Sequence, residues 1–196
     1  MHKGEKMTVK NEIIAKAVEL FAKEGYENTG VSRIVTEVGV TKPSLYHHFG
    51  SKEGLLSSVL EVYGNQFIDI FKEELHYSGD LSFAIDCFVI AYIRFVKRYP
   101  MFFRLYKQLY QSPVESDSYR IVKPFYKQLL MRLELFFTEV ANHHTNLKTK
   151  TTWMSYSLLG LMDTYIIHHM TLGSLEDLED EKCRQVVKQF LYGVFA

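Results

Sequence analysis

Apolar side chains recur three and four residues apart along nearly the whole chain, which is the period of an α-helix. No alternating run bounded by an Asn-Gly type of turn marks a β-hairpin. The pattern predicts about nine helices. The first spans residues 8–25, with Thr8 as a cap, Ile14, Ala17, Val18 and Phe21 as its inward stripe, and Gly25 as its stop. Two short helices follow. Ser51 then caps a fourth, in which Leu56, Val59, Leu60, Tyr63, Phe67, Ile70 and Phe71 keep the helical period for four turns. Ser78-Gly79-Asp80 breaks the chain. The fifth helix covers about 81–98 and is apolar on nearly all sides, so it is expected in the centre. The sixth covers about 101–110 and the seventh about 118–143. Pro124 marks either a kink in the seventh helix or its true first turn. The eighth covers about 151–172 and the ninth about 178–195.

The stretch Thr29 to Phe49 carries the most information. Val31, Ile34, Val35 and Val38 form one apolar stripe, and Gly39 follows where a helix needs a left-handed residue to stop. Thr41 can cap the next helix, with Pro43 in its first turn, where a missing N–H costs nothing. That third helix presents Thr41, Lys42, Ser44, Tyr46, His47 and His48, while Leu45 and Phe49 point inward. A helix stop, a tight turn and a polar helix suited to hydrogen bonding describe a helix-turn-helix DNA reader. Lys42 and Ser44 can donate to bases or phosphates, and Tyr46 can reach a phosphate. His47 and His48 are about 100° apart on the helix, so one of them meets DNA. Thr29 and Arg33 on the preceding helix, and Lys52 at the start of the fourth, are expected to meet phosphates.

GVTKPSLYHHFGSKEGLL, together with the lead-in Leu20-Phe21-Ala22-Lys23-Glu24-Gly25-Tyr26-Glu27-Asn28-Thr29, resembles the signature of the TetR family of bacterial transcriptional repressors. The resemblance covers roughly residues 10–60. It rests on the joint spacing of Phe21, Gly25, Thr29, Ile34, Gly39, Val40, Leu45, Tyr46, Phe49, Lys52 and Leu55. It implies an all-α protein: a three-helix DNA-binding domain over 1–52, then a helical ligand-binding and dimerisation domain over 53–196. It implies DNA contacts at Thr29, Arg33, Lys42, Ser44, Tyr46, His47 and Lys52. It also implies a homodimer joined through the last two helices, and release from a double-stranded operator when a small molecule binds. A regulator or protein-interaction adaptor without an inducer is the alternative.

Charge changes this picture little. The net charge is zero, and residues 1–55 hold eight basic side chains against seven acidic ones. This counts mildly against DNA binding, which usually leans on a basic footprint, but the motif's geometry is more specific than bulk charge and a few well-placed cations can serve. His2, His47 and His48 add charge only at mildly acidic pH. Cys87 and Cys183 lie far apart in apolar helical stretches, read as buried free thiols that suit a reducing cytoplasm. Residues 1–12 are polar, and no run approaches the roughly 20 residues needed to cross a bilayer, so a cytoplasmic protein without membrane contact is expected.

Fourteen Phe and thirteen Tyr concentrate in the later helices. Tyr63, Phe67, Tyr92, Phe95, Phe103, Tyr106, Tyr126, Trp153 and Tyr156 are either bundle core or the walls of a pocket for an apolar or aromatic ligand. Arg94, Arg104 and Lys107 either pair a ligand carboxylate or face solvent. In the eighth helix Ser157, Gly160 and Thr164 permit close helix approach. In the ninth, Val186, Val187, Phe190, Leu191 and Val194 form a stripe that serves either intramolecular core or a dimer seam. Asp163 can pair with a tyrosine hydroxyl, reach a pocket or edge the seam. The doublets His143-His144 and His168-His169 lack the spacing of a metal site. No nucleophile elbow, phosphate loop, HExxH or paired carboxylate is present, so neither catalysis nor a cofactor is expected.

Overall fold

The computed structural model describes residues 8–193, and within them every regular element is helical. The nine expected helices appear among the described residues, the fourth of them divided: α4 (Lys52–Val59) passes through a π turn (Leu60–Gly64) into α5 (Asn65–Glu73). The others are α1 (Val9–Glu24), α2 (Val31–Val38), α3 (Lys42–Phe49), α6 (Leu81–Arg98), α7 (Pro100–Tyr110), α8 (Asp117–His143), α9 (Thr151–Leu172) and α10 (Asp180–Tyr192). His2, Val194 and the expected end of the ninth helix at residue 195 lie outside the described residues. Pro124 falls inside α8 and not at its first turn, which Asp117 opens. The chain forms two compact units, residues 1–65 with 99–126 and residues 66–98 with 127–196.

In the first unit α1 is the axle. Thr8 caps it by accepting from the Asn11 N–H at 3.3 Å, and Gly25 ends it at φ 85°. Ile13, Ala17, Phe21 and Ala22 on α1 are fully buried, and α2, α4 and α7 pack around them. The Tyr26 ring meets Phe21 edge-on at 5.0 Å. α7 belongs to this unit through Phe102, Phe103, Leu105, Tyr106 and Leu109, all buried, and through the Gln108 amide, which donates to the Ala22 carbonyl at 3.2 Å. The π turn places Gly64 against the Phe125 ring, where a Cβ would lie 3.1 Å from the ring edge. A single π turn shifts the side-chain phase of everything beyond it, which the apolar period alone does not reveal.

In the second unit α6 is the buried rod, with Ile85, Phe88, Val89, Tyr92 and Val96 fully enclosed. Phe67 of α5 stacks on Phe95 at 4.6 Å, and Phe71 meets Phe88 at 4.8 Å. α10 packs on α6 and α9. The Tyr165 hydroxyl donates to Gln189 at 2.7 Å, and Phe137 of α8 reaches Phe190. Asp163 is settled by a hydrogen bond: the Tyr92 hydroxyl donates to its carboxylate at 2.8 Å. A carboxylate this buried needs such a partner to offset its lost hydration. Arg94 is exposed and pairs Asp180 at 3.0 Å, a surface contact worth about 0.2–1 kcal/mol. Cys183 is buried, and burial pushes its thiol pKa up. Cys87 is only half-buried, contrary to expectation, because it shares an outward stripe of α6 with Phe83 and Arg94.

The tightest joint in the first unit is Gly54, in the first turn of α4. A Cβ there would collide with the Phe49 carbonyl oxygen at the end of α3. Gly54→Ala is therefore expected to lever α4 away from α3 and destabilise the protein by about 1–3 kcal/mol. The check is a urea titration beside wild type, with Gly30→Ala, which meets open space, as the comparison.

Candidate nucleic-acid interface

The turn between α2 and α3 has the geometry its residues require. Gly39 is left-handed at φ 77° and ψ 30°, and the N–H groups of Gly39 and Val40 both donate to the Val35 carbonyl, at 2.9 and 3.0 Å. Thr41 then leaves the turn extended, and its hydroxyl accepts from the Ser44 N–H at 3.3 Å. α3 is fastened from below by Leu45, fully buried, and Phe49, nearly so. Gly50, again at positive φ, turns the chain into Ser51, which caps α4 through the Gly54 N–H at 3.1 Å.

This fastening leaves one face of α3 outward. Thr41, Lys42, Tyr46, His47 and His48 are exposed and Ser44 is half-buried. The two histidine rings stand edge-on at 5.5 Å. Lys42 has no carboxylate within ion-pair distance among the described residues, so its charge is available to an incoming anion. The face combines one cation, two imidazoles and three hydroxyls, a set able to bond phosphates and base edges.

The flanking positions are placed differently from one another. Thr29 is a correction. It is fully buried, and its hydroxyl donates to the Gly25 carbonyl at 2.7 Å and toward that of Leu20 at 3.4 Å, so it ties the α1–α2 turn together and has no face toward solvent. Arg33 is exposed, but its guanidinium is held by Glu37 at 2.5 Å and Glu24 at 3.4 Å, so a phosphate there must compete with two carboxylates. Lys52 is half-buried over the Tyr26 ring at 4.2 Å and donates to the Glu27 carbonyl at 3.4 Å. Burial lowers its pKa, against the opposing pull of Glu27 and Glu53. One feature escaped the sequence reading: Gly30 is the N-cap of α2 and offers no side-chain cap, which leaves first-turn N–H groups open to an anion. The signal was the glycine itself, directly before the apolar stripe.

The aromatic residues expected at a ligand site fall in different surroundings. In the first unit Phe103 and Tyr106 are buried, and Tyr63 and Tyr126 are half-buried. Tyr63 stacks on Phe102 at 5.5 Å, and Tyr126 stacks on Tyr110 at 3.7 Å. In the second unit Phe67, Tyr92 and Phe95 are buried together, whereas Trp153 and Tyr156 are 70% and 47% exposed on α9. Ser157, Gly160, Thr164 and Ile167 continue that exposed face of α9. Arg104 is exposed, and the Lys107 ammonium sits 5.1 Å from the centre of the Tyr106 ring. His144 bonds the Tyr77 hydroxyl at 2.7 Å. Among the described residues no group of three or more His, Cys, Asp or Glu side chains converges as a metal site would require.

Residues 13–59 match the family model described as bacterial regulatory proteins of the tetR family. The chain belongs to the TetR family. The match begins within α1 and ends at Val59, where α4 meets the π turn, so it covers the helix-turn-helix and the helices that brace it. Among curated proteins this TetR-family chain is similar to the biofilm operon icaADBC HTH-type negative transcriptional regulator IcaR. It is 28% identical to that of Staphylococcus aureus (strain Newman) over 136 residues, 67% of this chain and 70% of the relative. It is 32% identical to IcaR of Staphylococcus epidermidis over 114 residues, 56% of this chain and 58% of the relative. The fold matches that of the transcriptional regulator FadR from Bacillus subtilis, solved with stearoyl-CoA, at TM-score 0.76 and 19% identity over 94% of this chain and 98% of the other. The protein is thus a TetR-family transcriptional regulator. No helix among the described residues is long and apolar enough to cross a membrane.

Lys42 and Thr29 separate contact from scaffold. Lys42→Ala is expected to leave stability unchanged and to reduce the slope of log affinity against log salt by about one. Thr29→Val is expected to cost about 0.5–1.5 kcal/mol of stability, the worth of the lost hydroxyl hydrogen bond while the Gly25 carbonyl keeps the Thr29 N–H at 3.2 Å, and to leave that slope unchanged. Fluorescence anisotropy on DNA at several salt concentrations, paired with thermal melts, reads both.

Proposed function

We propose that this TetR-family regulator is a homodimeric repressor that leaves its operator when a small molecule binds among the aromatic residues of its later helices. The observation that carries the reading is the outward face of α3. Thr41, Lys42, Ser44, Tyr46 and His47 stand on a helix fixed from beneath by Leu45 and Phe49, and Arg33 and Lys52 flank it. In the major groove the first turn of α3 meets base edges, while Tyr46, Arg33 and Lys52 meet the backbone. The similarity to IcaR, a negative regulator by name, favours repression.

Dimerisation runs through α9 and α10. The exposed stripe of α9 sets Trp153 and Tyr156 beside the small residues Ser157, Gly160 and Thr164, an apolar and closely approachable face of the kind that a two-fold mate covers. Two readers in such a dimer must match half-sites about 34–36 Å apart or a near multiple of that. A ligand that binds one spacing better shifts the population toward it. The aromatic candidates are Tyr63, Phe103, Tyr106 and Tyr126 in the first unit and Phe67, Tyr92 and Phe95 in the second, and either set suits an apolar or aromatic molecule with few polar groups. The stearoyl-CoA of the FadR structure makes long-chain acyl compounds the first to try, ahead of aromatic metabolites and multidrug compounds.

Two measurements test this. Selection of bound sequences from genomic DNA yields the operator; a gel-shift titration on that operator with stearoyl-CoA and aromatic compounds is then expected to release the protein. A compound that binds yet leaves operator affinity unchanged removes the inducer from the reading. Gly160→Arg is expected to turn the dimer into a monomer in sedimentation velocity and to weaken operator binding at least tenfold. A Gly160→Arg protein that remains dimeric would exclude α9 from the seam.

A further inference from the structure

Six charged side chains of α1 and α2 form one alternating chain. Lys23 donates to Glu19 at 2.7 Å, and Lys16 donates to the same carboxylate at 2.9 Å. Lys16 also stands 4.0 Å from Glu37. The Arg33 guanidinium donates to Glu37 at 2.5 Å and, through Nε, to Glu24 at 3.4 Å. Three cations thus meet three carboxylates, and the chain carries no net charge. None of the six is enclosed: their side chains keep between 31% and 53% of their surface. An arriving phosphate can therefore reach them.

Helix stability does not account for the α2 pair. Charges four residues apart support a helix best when the acid precedes the base, because the helix dipole favours negative charge at the N-terminus and positive charge at the C-terminus. Arg33 and Glu37 stand the other way round. The first turn of α2 holds Arg33 and no acidic side chain, and its last turn holds Glu37 and no basic one. The dipole opposes both. Exposed pairs of this kind also add little to the fold. What they change is the charge that Arg33 presents outward. It lies in the same turn as the N-terminus of α2, which lacks a side-chain cap and favours an anion, yet it faces that place with two carboxylates at its side.

We propose that Glu37, supported by Glu24, limits the affinity of the head for DNA by neutralising Arg33 and repelling the phosphate that Arg33 would otherwise capture. This rests on the reading of the head as a DNA binder and adds which residues set the strength of that binding. A phosphate that displaces the carboxylates gives up their ion pairs with Arg33. A phosphate that uses the remaining N–H groups of the guanidinium lies beside two negative charges. Affinity falls in either case. Glu37 has the larger part, because it holds Arg33 more closely than Glu24 does and touches Lys16 as well.

The test is fluorescence anisotropy on the selected operator between 50 and 200 mM salt. Glu37→Gln keeps the shape and an acceptor for Arg33 while removing the charge. It is expected to bind several-fold more tightly at 50 mM and to steepen the slope of log affinity against log salt by about one, so that the gain shrinks about three- to fourfold across the range. Glu24→Gln is expected to change both in the same direction by less. Glu19→Gln removes an equal charge from the same chain without touching Arg33, and is expected to leave the slope as it is. In an Arg33→Ala background the gain from Glu37→Gln is expected to vanish. An unchanged slope in Glu37→Gln, an equal gain in Glu19→Gln, or a gain that survives Arg33→Ala would each overturn the assignment while wild-type binding upholds the DNA reading. Absence of binding by wild type and Glu37→Gln alike would end both.

Discussion

The protein depends first on the seating of an eight-residue helix. α3 is too short to persist in water by itself, since isolated helices below about 12–15 residues are marginal. Its shape comes from Leu45 and Phe49 buried beneath it, from the left-handed glycines at 39 and 50 that frame it, and from Gly54, whose missing side chain lets α4 lie against its end. Two buried side chains at about 1.5–3 kcal/mol each hold down what the polar face alone would not. The outward face is therefore a by-product of packing: its residues meet solvent because the inward ones leave them no other direction.

Charge within this head is spent largely on itself. Lys16 and Lys23 share Glu19, Arg33 sits between Glu24 and Glu37, and Lys52 lies over Tyr26. Such pairs orient long side chains more than they stabilise the fold. They leave Lys42 on the outward face of α3 without an ion-pair carboxylate among the described residues. On the proposed reading, such a head relies on directed hydrogen bonds from hydroxyls, imidazoles and open backbone N–H groups, with counterion release in a smaller part.

The second unit follows another logic, in which aromatic rings pack edge and face around α6 and the buried Asp163 carboxylate accepts from a tyrosine hydroxyl. Tyr92 and Asp163 are far apart in sequence, and only helix packing introduces them. Among the apolar residues that this core leaves exposed, Trp153 and Tyr156 stand on α9, where they accompany small residues instead of entering the interior.

The sequence by itself determined the helical class, the caps at Thr8, Thr41 and Ser51, the stops at Gly25 and Gly39, and the inward pair of α3. Each follows from local rules of backbone conformation and a 3.6-residue period that act within one or two turns. Tertiary structure decided the rest. It buried Thr29 and gave its hydroxyl to Gly25, occupied Arg33 with two carboxylates, opened a π turn at Gly64 beside Phe125, drew α7 onto α1 through Gln108 and Ala22, and sent Trp153 outward. The physical reason is range. A cap or a stop is settled by neighbours along the chain, whereas exposure and partnership are settled by whichever distant helix arrives at the same place, and one-dimensional periodicity holds no record of that meeting.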